Sequence, residues 1–230
     1  MALLDGGGWA ERATVPATRA GVIPDGMECE VAATLPIAGL TAVRAIELGE
    51  PLAASSVLVT GGSGGVGQFT IQLAALEGAE VTAVSSRREQ HETLMRLGAR
   101  EVVAKIEEAR GPYNLILESV GGDSLAIAIE LVGREGVVVT IGNSSEQDTT
   151  FNARTLYSKG AAGIYGLVVF EEISSGRVGA AELEGLMRLV LEGKLHAPIS
   201  LRRPWTGLPE TLEELERREY PGKAVLTVAP

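Results

Sequence analysis

Residues 57–67 read Val57-Leu58-Val59-Thr60-Gly61-Gly62-Ser63-Gly64-Gly65-Val66-Gly67, and no other stretch constrains the fold as strongly. A short run rich in β-branched side chains ends in a glycine cluster. An apolar-periodic stretch, Phe69 to Leu76, follows at once. This is the pattern of a buried strand, a tight turn and a helix. A helix start leaves backbone N–H groups unpaired at the positive end of its dipole. Glycines let a phosphate approach those groups without meeting a Cβ. The stretch therefore proposes a pyrophosphate site and, by extension, a dinucleotide. The competing reading is a glycine turn that only lets helix and strand pack closely.

The surrounding chain repeats the alternation. Strands are expected at 80–84, Glu101 to Ala104, Tyr113 to Glu118, Gly136 to Ile141 and Lys223 to Val228. Helices are expected at 67–77, 87–97, from Gly121-Gly122-Asp123 to Val132, and at 152–158, 180–193 and 208–217. Ahead of the first strand, Pro36 suits the first turn of a helix that Gly49 stops. A short helix is expected over Glu28 to Thr34, a turn over Gly6 to Glu11 and a short strand over Arg12 to Val15. Apolar strands alternating with helices predict an α/β fold, a doubly wound parallel sheet of about six strands covered on both faces. Ala162 to Phe170 reads as the sixth strand. Its apolar run, Ile164 to Phe170, is either covered within the monomer or pairs symmetrically at the sheet edge in a homodimer, and the dimer is favoured.

Charge and composition narrow the partners. With 30 acidic and 20 basic residues in 230, the net charge of −10 argues against nucleic acid and anionic membrane surfaces. The start of the chain lacks a basic region and a sustained apolar segment, so a soluble cytoplasmic protein is expected. One cysteine, Cys29, excludes an internal disulfide and a cysteine-rich zinc cluster. The two histidines lie far apart. His91 reads as a solvated residue of a polar helix and His196 as a loop residue before Pro198, so no metal site is expected.

The second strand ends at Ser85-Ser86-Arg87-Arg88. An acidic residue there would accept hydrogen bonds from a free ribose 2′-hydroxyl and repel a 2′-phosphate. Two hydroxyls and two guanidinium groups would instead bind a 2′-phosphate, which favours NADPH over NADH. Ser86 and Glu89 also fit a capping box, and the two readings are compatible.

Several segments together resemble one family. Leu35-Pro36-Ile37-Ala38-Gly39-Leu40-Thr41-Ala42, the glycine loop, Leu97-Gly98-Ala99, Glu118-Ser119-Val120-Gly121-Gly122, Ile141-Gly142-Asn143-Ser144-Ser145 and Gly222-Lys223-Ala224-Val225-Leu226 follow in the order and spacing of the medium-chain dehydrogenase/reductases. The likeness is to their zinc-independent quinone oxidoreductase branch. It implies a Rossmann domain at 36–200, a short remnant of an N-terminal β domain (the GroES-like catalytic domain) at 1–35, and a C-terminal helix and strand at 201–230. It implies NADPH as cofactor, with Gly62, Ser63, Gly64, Gly65 and Val66 at the pyrophosphate. Ser85, Ser86, Arg87 and Arg88 would surround the 2′-phosphate. Thr41, Gly142, Asn143 and Leu167 would lie toward the nicotinamide, although Thr41 equally suits helix packing and Asn143 a turn cap. Glu118 stands where the family has Asp. The chain begins at what reads as the last strand of the catalytic domain.

The implied reaction is hydride transfer to a small-molecule quinone, enone or enoyl-type acceptor. Asn143 and Tyr165 are candidate hydrogen-bond donors to the developing oxyanion, and no catalytic side chain is assigned. The alternative is a non-catalytic NADPH-binding module. A short-chain dehydrogenase ranks lower, because Tyr157 is followed by Lys159 and Gly160-Ala161 and the required tyrosine–lysine spacing is missing.

Overall fold

The structure, a computed structural model, describes residues 12–228. The turn expected over Gly6 to Glu11 lies outside them. In chain order the elements are α1 (Cys29–Ala32), α2 (Leu35–Gly49), β1 (Ser56–Val59), α3 (Gly65–Leu76), β2 (Glu80–Val84), α4 (His91–Arg96), β3 (Ala99–Val103), β4 (Tyr113–Glu118), α5 (Gly122–Leu131), β5 (Val132–Thr140), α6 (Ala153–Tyr157), β6 (Gly163–Gly166), α7 (Val169–Ser174), α8 (Ala180–Leu191), β7 (Ile199–Pro204), α9 (Leu208–Glu216) and β8 (Lys223–Thr227).

Six strands form one parallel sheet in the order β3-β2-β1-β4-β5-β6. This is the doubly wound Rossmann order. It places the reversal of direction between β1 and β4, where the C-terminal ends of the strands open a crevice. Both faces are apolar because successive side chains alternate. Val57, Val59, Leu115, Leu117 and Val139 share a core with Leu40, Phe69, Ile71 and Leu186 from the helices on one side. Leu58, Ile116 and Val138 join Ile106, Ala128 and Val132 in a second core on the other. Each fully buried Leu, Ile or Phe contributes roughly 1.5–3 kcal/mol of transfer free energy. Among the described residues no helix is long and apolar enough to cross a membrane.

Four expectations are corrected. Arg12 to Val15 forms no strand, and among the described residues it has no ladder to join. The second sheet is instead a parallel pair, β7 and β8, joined through α9. The sixth strand stops at Gly166 rather than Phe170. Leu167, Val169 and Ile173 turn into the core as α7 begins, so the end of the apolar run serves packing rather than pairing. The helix expected over 87–97 is shorter. A 3-10 turn at Arg88–Gln90 leads into α4, and the capping box of Ser86 and Glu89 does not form.

Candidate functional site

β1 delivers the chain to Gly61, whose φ of +60° is costly for any residue carrying a Cβ. Gly64 N donates to Gly61 O at 2.9 Å and closes the turn, while Gly62 N donates to Val84 O at 2.9 Å. That second bond joins the glycine loop to the end of β2. α3 then starts at Gly65. The amides of Gly65, Val66 and Gly67 find no acceptor among the described residues, as the first turn of a helix requires. A Cβ on Gly67 would lie 2.5 Å from Gly61 O and 2.9 Å from Gly62 Cα. Close packing and an open anion cradle therefore coexist in one loop.

A residue from the far end of the chain completes the loop. Gly222 N donates to Ser63 O at 2.9 Å, and Gln68 Nε2 donates to the same oxygen at 2.9 Å. This docks Lys223 on the first turn of α3, with its Nζ 3.2 Å from where a Gly65 Cβ would stand. Burial pushes the Lys223 amine below its ordinary pKa. A half-buried ammonium beside the positive end of a helix is unfavourable until an anion lies between them. In the sequence Lys223 stands out only as the start of the final strand and as part of the terminal family segment. Its approach to Gly65 is a tertiary fact with no local signal.

Ser85, Ser86, Arg87 and Arg88 follow β2 next to this loop. Ser85 is buried. Its N donates to Val103 O at 2.9 Å, and its hydroxyl oxygen accepts the Arg87 amide at 3.3 Å. Ser86 and Arg88 are exposed. Arg87 has one loose ion pair, 3.8 Å to Glu89. His91 is not a bystander in solvent, because its Nε2 lies 2.7 Å from Ser85 O.

The remaining predicted residues gather less tightly. Gly142 and Asn143 follow β5, and Leu167 follows β6 with its N bonded to Thr140 O at 2.9 Å. Asn143 is committed to its own loop, with Oδ1 accepting from Ser145 Oγ at 3.1 Å and Nδ2 donating to Gln147 O at 3.4 Å. Thr41 is buried, and its hydroxyl donates to Ile37 O at 2.7 Å inside α2. Glu118 is fully buried and accepts from the Val120 and Gly121 amides, Ser124 Oγ and Thr60 Oγ1. It shapes the turn beneath the crevice, so its carboxylate is engaged structurally.

Tyr165 is likewise committed. Its hydroxyl donates to Glu172 Oε1 at 2.7 Å. Glu172 is buried and also accepts from Arg44 Nε at 2.8 Å and from Arg177 Nε at 2.5 Å. The hydrogen bond from Arg177, followed by those from Tyr165 and Arg44, outweighs burial and holds this carboxyl down to about 2.

The described residues do not fit a zinc site. None of their His, Cys, Asp and Glu side chains group in threes to hold a metal ion. Cys29 is exposed, and His91 is occupied by a backbone carbonyl.

Residues 65–189 match the profile of the family described as zinc-binding dehydrogenase. The quinone oxidoreductase of Coxiella burnetii superposes with a TM-score of 0.70 at 30% identity, over 86% of this chain and 60% of that one. Mycobacterial Rv1454c, solved with NADPH, gives 0.80 at 22% identity, over 89% and 66%, a likeness of fold alone. Erythronolide synthase EryA2 of Saccharopolyspora erythraea is 32% identical over 222 residues, 89% of this chain and 6% of that protein. The chain thus spans less than two thirds of the C. burnetii enzyme and a small part of the synthase. The likeness to the C. burnetii enzyme is consistent with the quinone oxidoreductase-like medium-chain dehydrogenase/reductases, and the profile match, which covers more than half of the chain and contains the first turn of α3, shows that the chain belongs to the zinc-binding dehydrogenase family.

Proposed function

We propose that this chain binds NADPH across the C-terminal ends of β1, β2, β4 and β5, in an oxidoreductase acting on a quinone, enone or enoyl-type acceptor. The observation that carries the reading is the pairing of two anion cradles through one backbone bond, Gly62 N to Val84 O. The first is the start of α3 with Lys223 against it, suited to a pyrophosphate. The second is the Ser85–Arg88 turn, which offers Ser86, Arg87 and Arg88 to a 2′-phosphate. NADPH in complex with Rv1454c supports the same choice. Bound there, the nicotinamide supplies the hydride. The protein's own residues hold the phosphates, and Gly142 and Leu167 border the nicotinamide half.

The test is a fluorescence titration of NADPH and NADH. The wild-type protein binds NADPH more tightly. Arg87→Ala and Arg88→Ala bring the two affinities together, while Lys223→Gln weakens both alike by about tenfold, the loss of one charge-assisted contact. Equal affinities in the wild-type protein would sink the cofactor assignment.

A second reading, an NADPH-binding module without turnover, draws support from the two candidate proton donors. Asn143 and Tyr165 are both engaged within the protein. Oxidation of NADPH by any member of a quinone and enone panel rules it out.

We also propose that two chains pair through β6. It is the last strand of the sheet, Ile164 is 38% exposed, and a Cβ on Gly163 or Gly166 would meet nothing within 4 Å. Light scattering is expected to give a dimer, and Ile164→Lys a monomer, because a charge on an edge strand opposes pairing. A wild-type monomer would overturn the pairing.

A further inference from the structure

We infer that His91 is a positioning residue for cofactor choice, a reading that rests on the NADPH assignment above. It pins the turn that presents Ser86, Arg87 and Arg88.

Ser85 N makes the last rung to β3 through Val103 O at 2.9 Å. The Ser85 carbonyl comes next, on a residue only 4% exposed, where an unpaired acceptor would be costly. The ladder has no further donor for it. His91 supplies one through Nε2 at 2.7 Å. That bond spans six residues and closes the segment between them into a ring. Two shorter bonds brace the ring from inside. Ser85 Oγ accepts the Arg87 amide at 3.3 Å, and Arg87 O accepts the Gln90 amide at 2.9 Å.

Inside this ring the polar side chains are held in reserve. Among the described residues neither the Ser86 nor the Arg88 side chain has a hydrogen bond or ion pair, and the Arg87 side chain has only its 3.8 Å approach to Glu89. A turn that is already closed does not lose its backbone freedom when a phosphate arrives. A turn released from His91 does. On the NADPH assignment it is the 2′-phosphate that this turn recognises. Loss of the His91 bond should therefore weaken discrimination while leaving the pyrophosphate cradle intact.

The probes are 2′,5′-ADP and 5′-AMP, which differ only in that phosphate. In the full chain His91→Leu is expected to reduce the affinity for 2′,5′-ADP by about tenfold, the scale of one lost hydrogen bond. Affinity for 5′-AMP stays within about twofold, since none of its contacts are touched. His91→Gln, whose amide nitrogen can reach the position of Nε2, restores most of the difference. Thermal unfolding of each variant separates a local from a global effect. Discrimination that survives in His91→Leu, or equal losses for both nucleotides, overturns the role given to His91. A wild-type protein that does not prefer 2′,5′-ADP overturns the NADPH assignment itself, which is a different result.

Discussion

Gly67→Ala is expected to abolish NADPH binding and to lower stability by roughly 3 kcal/mol. The new Cβ would lie 2.5 Å from Gly61 O and 2.9 Å from Gly62 Cα. Both are backbone atoms of the turn and cannot swing aside as a side chain could. Relief requires α3 to move away from β1. That movement strains the bond from Gly64 N to Gly61 O and displaces the three free amides that the phosphates need. A glycine elsewhere provides the contrast. At Gly185, in α8, a Cβ would meet nothing within 4 Å. Gly185→Ala is expected to stabilise by up to about 1 kcal/mol, through helix propensity alone. Urea unfolding and NADPH fluorescence read both variants. A Gly67→Ala protein with wild-type midpoint and affinity would refute the close-packed loop.

Glu172→Gln carries the second large effect, a loss of about 3 kcal/mol at neutral pH. The substitution leaves Arg177 facing a neutral amide at a buried position and strips Arg44 of the more buried of its two carboxylate partners, Glu47 remaining at 3.1 Å. Arg44 also stacks over the Tyr165 ring, 5.9 Å from its centroid, and that contact depends on the same arrangement. The pH dependence follows from the carboxyl being held down to about 2 from an ordinary 4.5. Above pH 4.5 both folded and unfolded chains carry the charge, and the contribution is complete. As pH falls from 4.5 toward 2, the unfolded chain takes up a proton that the folded chain refuses. Stability declines through that window and the contribution is gone below it. The gap between wild type and Glu172→Gln, measured by urea unfolding, should therefore shrink steadily below pH 4.5. A gap that stays constant from pH 7 to pH 3 would show that the charge at Glu172 does not carry the effect.

The two proteins of that comparison differ at a residue that sequence reading did not single out, and the reason is general to this fold. Strands β2 and β4 were legible to the residue because each is a short run, largely apolar, bounded by turn residues and buried on both faces. The glycine loop was legible because its chemistry is local. α7 was not, since Val168, Val169 and Phe170 have strand-like propensity and only the core beneath α2 draws Val169 and Ile173 into a helix. β7 was hidden by Pro198 and Pro204, which a two-stranded edge tolerates and a central strand would not. At the site, Ser85 to Arg88 could be read from the absence of a carboxylate, whereas His91 and Lys223 could not. Each matters through a backbone position that another part of the chain creates. An isolated histidine on a short polar helix carries no sign that a strand end behind it lacks a donor.

The docking of Gly222 on Ser63 has a consequence for the order in which the molecule comes into being. A ribosome releases β1, the glycine loop and α3 long before it reaches the Pro221-Gly222-Lys223 segment, and domains tend to condense as their residues emerge. The sheet can gather around β1 and β4 early, from contacts between neighbouring elements. The carbonyl of Ser63 has its Gln68 bond at that stage but still lacks its partner amide from Gly222. Arg218, which donates to Ser144 O beside the β5 loop, arrives in the same late segment. Contacts of such long sequence separation are the slow ones to form. The glycine loop is thus begun after β1 and braced only once β8 has emerged, so the sheet can be folded before the loop has its full set of backbone bonds.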